Sequence, residues 1–244
     1  MISNCRAIVL NQIKFKETSL IVHLYTREYG RISVLVNSVF STSKRKKNKA
    51  SFFQPLSLLD IIIDYKPSRD IQPVREFSSS FALSSIHFNI KKSFIAMFVA
   101  EMIYKAVREE ESNTHLFDFI ESSIRYLDIS EESFSNFHLV FLIKLSKYLG
   151  FFPMFESYRP NYLFNIKKGV FNSYASSDFF ILDKELSKNL YEIGLVNYSE
   201  MGIVALSGKR RVKLLEIIIE YYFYHIDTLG TINSLEILKE VFEN

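Results

Sequence analysis

The chain of 244 residues is poor in the residue types that build cross-linked or metal-bound frameworks. Its one cysteine, Cys5, allows neither an internal disulfide nor a cysteine-based zinc cluster, which fits a reducing cytoplasm. The longest apolar run of the first helical region, residues 94–100, is far shorter than the ~20 residues that span a bilayer. Arg6 also interrupts the N-terminus before the apolar core of a signal peptide could form. We expect a soluble cytoplasmic protein without a metal or other cofactor.

The common motifs of catalytic sites are also missing. The sequence contains no GxxxxGK[ST] phosphate-binding loop, no GxGxxG and no GxSxG. Its five histidines are scattered, without the HxxxH spacing of a metal site, at positions 23, 87, 115, 138 and 225. Three consecutive glutamates, 109–111, would point in different directions from a helix and would not converge on one ion. We therefore predict that the protein is not an enzyme and has no catalytic residues.

The first third of the chain is predicted to form a small β-barrel. Segments 20–26 and 32–36 alternate apolar and polar residues, which is typical of strands with one buried face. Three more strands are predicted at 6–10, 52–65 and 71–77. Five strands in fewer than 80 residues, without a long helix between them, favour a five-stranded OB-fold barrel.

The rest of the chain is predicted to be helical. No glycine occurs from 31 to 149 and no proline from 74 to 152, which permits long helices. Helices are predicted at 79–111 and 116–127, then from a cap at Ser130 to Gly150, at 184–193, around 212–222, and from Asn233 onward. We predict an α+β multidomain chain, with an OB-fold domain at 1–77 and an α-helical domain at 78–244. The helical domain carries a short irregular or hairpin insert near 155–182.

Positive charge is concentrated in the predicted barrel. Residues 1–76 hold 13 lysines and arginines against 6 acidic residues, whereas residues 77–244 hold 17 against 21. A basic region of this kind is the electrostatic footprint of a nucleic-acid-binding surface. Its densest part is a basic loop after the third strand, for which a solvated loop without a partner is the alternative. The predicted DNA-binding residues are Lys14, Lys16, Arg31, Lys44, Arg45, Lys46, Lys47 and Lys49.

Aromatic residues beside these charges could stack on bases, although core packing is the alternative for each of them. They are Phe15, Tyr25, Tyr29 and Phe40. A second basic cluster, at 209–211 and 213, begins a predicted helix, where positive charge opposes the helix dipole. This second cluster is either a partner-binding surface or a solvated helix face.

Several short motifs, in order along nearly the whole chain, resemble the RecO family of recombination mediators. They are Arg6-Ala-Ile-Val-Leu10, Glu17-Thr-Ser-Leu-Ile-Val22, Gly30-Arg31, Phe53-Gln-Pro-Leu56 and Tyr148-Leu-Gly-Phe-Phe-Pro153. The resemblance implies an OB domain, a helical domain and a role in recombinational DNA repair. It implies binding of single- and double-stranded DNA, annealing of complementary strands, and help in loading RecA on coated single strands. It also implies two protein partners, RecR and the tail of single-stranded DNA-binding protein.

The sequence departs from the family pattern at two places. Many members carry a four-cysteine zinc module after the LGF stretch, but residues 155–182 contain no cysteine, so we predict no zinc and a hairpin near 164–171 without the metal. The family's Lys-Gly-x-Arg stretch after the third strand is replaced by Asn37-Ser38-Val39-Phe40. The basic loop at 44–49 is then the expected source of charge.

The location of the partner-binding site is predicted from chemistry and helical placement. An acidic tail with an apolar end needs a hydrophobic pocket beside lysine or arginine, and the candidates are Lys91, Lys92, Arg108 and Arg125. Three other functions stay open at this point. They are an OB-type RNA-binding factor, a non-catalytic interaction scaffold, and a metal-dependent nuclease.

Overall fold

The computed structural model describes residues 1–40, 49–108, 111–173 and 181–243. The chain forms two compact units, Met1–Ile129 and Ser130–Asn244. Among the described residues, the first holds a β-barrel and two α-helices, and the second holds a β-hairpin and four α-helices. Within the described residues, no helix combines the length and the apolar composition needed to span a membrane. The predicted class, a barrel followed by a helical region, is confirmed.

Five strands make the barrel of the first unit. They are β1 (Ile2–Phe15), β2 (Ser19–Thr26), β3 (Gly30–Val36), β4 (Leu58–Asp64) and β5 (Ile71–Phe81). The barrel closes in the order β1-β2-β3-β5-β4, in which the β3–β5 pair is parallel and the other four pairs are antiparallel. The long β1 pairs with β4 through its first half and with β2 through its second, and its register shifts between Val9 and Asn11. The register shift lets β1 pair with two different strands along its length, as β-bulges do in small barrels. The predicted OB fold is confirmed.

The barrel interior follows the alternation that the sequence shows. Val22 and Leu24 of β2 and Val34 of β3 point into the barrel and are fully covered. The residues between them, such as His23 and Ser33, are only partly buried and lie on the opposite face of their strands.

The predicted strand at 52–65 is wrong in its first half. A short 3-10 helix (Lys49–Phe53) occupies this position, and β4 begins only at Leu58. Pro55 offers no backbone N–H to a strand ladder, and Leu56 takes a left-handed φ of 63°. The apolar residues there are still buried, because Phe53 packs into the barrel core as part of a connection.

The two helices of the first unit are α1 (Ile90–Ala106) and α2 (Thr114–Ile129). The predicted helix at 79–111 starts too early, since β5 continues to Phe81. The Asp128 carboxylate accepts the backbone N–H groups of Ser84, Ser85 and Ile86 at 2.8–2.9 Å, which holds this segment in a turn. These hydrogen bonds to the ionised form keep the pKa of Asp128 below its usual value despite the opposing effect of burial.

The second unit contains α3 (Phe137–Tyr148), α4 (Lys184–Leu195), α5 (Gly208–His225) and α6 (Ser234–Glu243). The predicted cap at Ser130 is wrong, because a 3-10 turn (Phe134–Asn136) precedes α3. A hairpin of β6 (Leu163–Asn165) and β7 (Val170–Asn172) lies where the sequence predicts one, near 164–171. Aromatic rings pack about it, with Phe164 and Phe171 at 4.9 Å between centroids and Tyr158 and Tyr191 at 3.8 Å.

Candidate nucleic-acid interface

Three of the predicted lysines lie together at one end of the barrel. Lys14 is opposite Leu20 in the β1–β2 pair, and Leu20 is opposite Val36 at the end of β3. Lys16 lies in the β1–β2 turn with a left-handed φ of 57°. The backbone N–H of Lys49 donates to the Val39 carbonyl at 3.1 Å, which ties the start of the 3-10 helix to the segment after β3. We call Lys14, Lys16 and Lys49 the lysine end.

Each ammonium group of the lysine end lies over an aromatic ring. The Nζ atoms of Lys14, Lys16 and Lys49 are 5.3–5.7 Å from the nearest ring centroid. The rings belong, in the same order, to Phe40, Phe15 and Phe77. Cation–π contacts at exposed sites are weak, about 0.5–1 kcal/mol, so the ammonium groups stay available to a stronger anionic ligand. Phe15 is itself 37% exposed, which also leaves an aromatic surface for a base.

The positive charge of the lysine end is not neutralised by the described part of the chain. All three lysines are exposed, and within the described ranges none of them forms a salt bridge. A surface of this kind attracts phosphates and releases their counterions. The predicted contacts Lys44, Arg45, Lys46 and Lys47 lie outside the described residues. Their neighbours in the sequence that the structure describes, Phe40 and Lys49, both belong to this end of the barrel.

Another part of the barrel surface carries the opposite charge. A groove of about 450 Å³ is lined by Glu28, Asp60 and Glu76, together with Arg6. Burial raises the pKa of Glu28, although the backbone N–H of Arg6 donates to its carboxylate at 3.0 Å. Because carboxylates repel a phosphate backbone, this groove disfavours nucleic acid and leaves the lysine end as the better candidate surface.

Arg31 does not join the lysine end. It lies opposite Tyr25 near the start of β3, five residues before Val36, which is about 17 Å along a strand. Its Nη1 atom donates to the Tyr104 carbonyl at 3.0 Å, and its guanidinium lies 5.5 Å from the centroid of the Tyr104 ring. A polar recess of about 310 Å³ opens beside Arg31, and sequence patterns did not reveal it. Its walls come from β2, β3, α1 and the β4–β5 connection, which are distant in sequence.

The four residues predicted to contact a protein partner do not form one site. Lys91 lies in the first turn of α1 and Arg108 follows its last turn, about 25 Å away for a helix of 17 residues. Lys92 is buried, and its Nζ donates to Ser85 Oγ at 2.6 Å and to the Asp128 carbonyl at 2.9 Å. Arg125 pairs with Glu121 at 2.7 Å and stacks 4.1 Å from the Phe81 ring centroid. The ammonium group of Lys92 is therefore used inside the protein, which corrects its predicted surface position.

The structure also shows the environments of Tyr25 and Cys5. Tyr25, a predicted stacking residue, is fully buried and belongs to the core. Burial raises the pKa of the Cys5 thiol to about 11, so the thiol stays protonated and unreactive. Within the described ranges, no three histidine, cysteine, aspartate or glutamate side chains are grouped in a way that could hold a metal ion.

A closed five-stranded barrel with a basic end, followed by helices, defines the class of OB-fold proteins with an added helical region. Two family models match this chain, Recombination protein O N terminal over residues 1–81 and Recombination protein O C terminal over residues 87–158. The chain belongs to the RecO family. A DNA repair protein RecO of Phocaeicola vulgatus is 37% identical over 242 residues, covering 99% of this chain and 100% of the relative.

Further relatives match over almost the whole length. A DNA repair protein RecO of Bacteroides fragilis is 36% identical over 245 residues, covering 100% of both chains. One of Flavobacterium psychrophilum is 34% identical over 238 residues, covering 97% of this chain and 98% of the relative. The similarity therefore extends over both compact units.

Proposed function

We propose that this protein acts in DNA repair and recombination as a mediator that binds DNA at the lysine end of its barrel. Family membership supports the biological role, because the relatives are DNA repair proteins by name. The observation that carries the DNA-binding part is the lysine end itself, where three exposed ammonium groups lie beside aromatic rings without carboxylate partners among the described residues. The basic residues 44–47 add four charges to the same connection in the sequence.

The proposed mechanism is electrostatic capture followed by strand pairing. Lysines that contact the phosphates of two strands reduce the repulsion between their backbones, and complementary bases can then meet. No covalent step is required. In this proposal DNA binding belongs to the barrel domain at 1–77, and the helical domain at 78–244 binds protein partners.

We also propose three partners for this activity. The protein binds RecR and the acidic, apolar-ended tail of single-stranded DNA-binding protein, and together they help RecA load on coated strands. Lys91, Arg108 and Arg125 stay predicted contacts for the tail. Because they do not form one site, each is proposed as a separate candidate. DNA is the proposed ligand in preference to RNA because the relatives' names refer to DNA repair.

The experiment is annealing of two labelled complementary strands, bare and pre-coated with the cognate single-stranded DNA-binding protein. We expect the protein to accelerate pairing of both, and a variant with Lys14→Ala, Lys16→Ala and Lys49→Ala to be slower on both. Acceleration on bare strands alone would refute the partner part of the proposal. No acceleration, or clear preference for an RNA competitor of equal length, would refute the DNA function.

A further inference from the structure

The recess beside Arg31 has the features of a preformed ligand site. It has a volume of about 310 Å³, which is at the lower end of the range for small-ligand sites. The side chain of Gln72 is buried and holds one wall, accepting the Lys66 N–H at 3.0 Å and donating to the Lys66 and Arg69 carbonyls at 2.9 and 2.8 Å. The β4–β5 connection is therefore rigid before a ligand arrives.

Other residues that line the recess contact one another and form a cluster of side chains. The Tyr104 ring lies 4.9 Å from the His23 ring and 5.5 Å from the Arg31 guanidinium, measured between centres. His23 is held in turn by a 2.9 Å hydrogen bond between its Nδ1 and Ser33 Oγ. Burial and the nearby Arg31 lower the pKa of His23, so the imidazole is neutral at pH 7 and leaves the charge to arginine.

Two stacked tyrosine rings lie beside the recess. Tyr65 stacks on Tyr29 with a centroid separation of 3.9 Å and an interplanar angle of 15°. Tyr65 also lines the recess, so that a flat ligand entering it would extend a stack of two rings.

The recess is lined by two guanidinium groups, of Arg31 and of the half-buried Arg69, and by the exposed carboxylate of Asp70. Arg69 Nη1 donates to the Asp64 carbonyl at 3.2 Å and lies 3.8 Å from the Asp64 carboxylate, and its other N–H groups can donate to an anion.

A flat aromatic group joined to an anion is the chemistry of one nucleotide. We propose that this recess binds a single unpaired nucleotide of a DNA strand, with its base on Tyr65 and its phosphate near Arg31 and Arg69. The proposal rests on the proposed DNA-binding function and deepens it. A base in a duplex cannot enter the recess, so this contact is made with single strands and lost once pairing is complete.

The test combines cross-linking with matched variants. A single-stranded oligonucleotide carrying one 5-iododeoxyuridine is irradiated with the full-length protein, and the adduct is located by mass spectrometry. We expect it on Tyr65 or Tyr104. We also expect Tyr65→Leu to weaken single-strand binding about tenfold, and Arg69→Gln to weaken it less. Both variants should leave duplex binding unchanged.

Arg75→Gln is the control, because Arg75 is an exposed arginine of the same barrel that lies outside the recess. We expect it to change neither affinity. Equal losses on single strands and duplexes in the recess variants would mean that only phosphates bind there, and would overturn the proposal. If the wild-type protein binds DNA but gives no adduct, and Tyr65→Leu has no effect, the proposed nucleotide site in the recess is wrong and the proposed function stands. No wild-type binding to any DNA would overturn the proposed function as well.

Discussion

Two groups of basic residues are used differently by the fold, the lysine end of the barrel and the beginning of helix α5. At α5, Arg210 pairs with Glu185 and Lys213 pairs with Glu216. Arg211 donates to Asn136 Oδ1 and to the Leu206 carbonyl, each at 2.9 Å. At the lysine end, the ammonium groups contact only rings among the described side chains. A count of charges therefore does not distinguish structural cations from available ones.

The two compact units also differ in their balance of basic and acidic residues. Residues 1–129 hold 18 lysines and arginines against 13 acidic residues, and residues 130–244 hold 12 against 14. The first unit has an excess of cations, and three of them lie at one end of its barrel. In the second unit, acidic residues are numerous enough to pair with the cations. We therefore expect the cations of the lysine end to affect DNA affinity and Arg211 of α5 to affect stability.

The largest expected effect is charge reversal at the lysine end. A variant with Lys14→Glu, Lys16→Glu and Lys49→Glu should bind single- and double-stranded DNA about a hundredfold more weakly or worse, because attraction becomes repulsion. Gel shift or fluorescence anisotropy at low salt measures this loss. The matched control carries Lys209→Glu, Arg210→Glu and Lys213→Glu, with the same change in net charge. We expect its affinity to stay close to that of the wild type, and equal losses in both variants would contradict the distinction.

The second prediction concerns the free energy of unfolding, for which we expect the α5 residue to matter more than the lysine-end residue. Arg211→Met should lower the free energy of unfolding by about 1–3 kcal/mol, because it leaves the buried Asn136 amide oxygen and the Leu206 carbonyl without their donor. Lys49→Met should change it by less than about 0.5 kcal/mol, as is usual for exposed residues. Denaturant unfolding followed by the helical circular dichroism signal tests both. A larger loss for Lys49→Met than for Arg211→Met would contradict the account.

The smallest effect concerns acid stability in the second unit. Burial, with a lesser contribution from Arg211, lowers the pKa of His138 to about 3. An unfolded chain binds the proton near pH 6.5 and the folded chain does not, so stability is complete above that pH and falls as the pH decreases. Between pH 7.5 and 5.5 the loss from this residue should be about 1 kcal/mol. His138→Leu should flatten the slope of unfolding free energy against pH in that interval, and an unchanged slope would refute the assignment.

Local patterns in the sequence were sufficient to predict the barrel. The alternation in β2 and β3 places Val22, Leu24 and Val34 in the core, since a period of two leaves only one choice of buried face. The sequence pattern predicted the start of helix α1 too early. The turn before this helix depends on Asp128, which is more than forty residues away in the sequence. The extra length of β1 was missed because its second half is largely exposed.

The candidate site was predictable only in part, for a related reason. The charge of Lys14, Lys16 and Lys49 is visible in sequence, and their positions follow from strand connections. Whether a cation is buried is not visible, as Lys92 demonstrates, because its partners Ser85 and Asp128 are brought to it by folding. The recess beside Arg31 has no local signal at all, since His23, Tyr65 and Tyr104 meet only in the folded barrel unit.

The central claim is that the lysine end supplies phosphate contacts and that α5 does not. The most direct measurement is the slope of the logarithm of single-strand affinity against the logarithm of salt concentration. Removing Lys14, Lys16 and Lys49 together by alanine substitution should reduce the slope by about 2, at roughly 0.7 per lost contact. Alanine at Lys209, Arg210 and Lys213 should leave it unchanged. An unchanged slope in the first variant, or an equal reduction in both, would contradict the account.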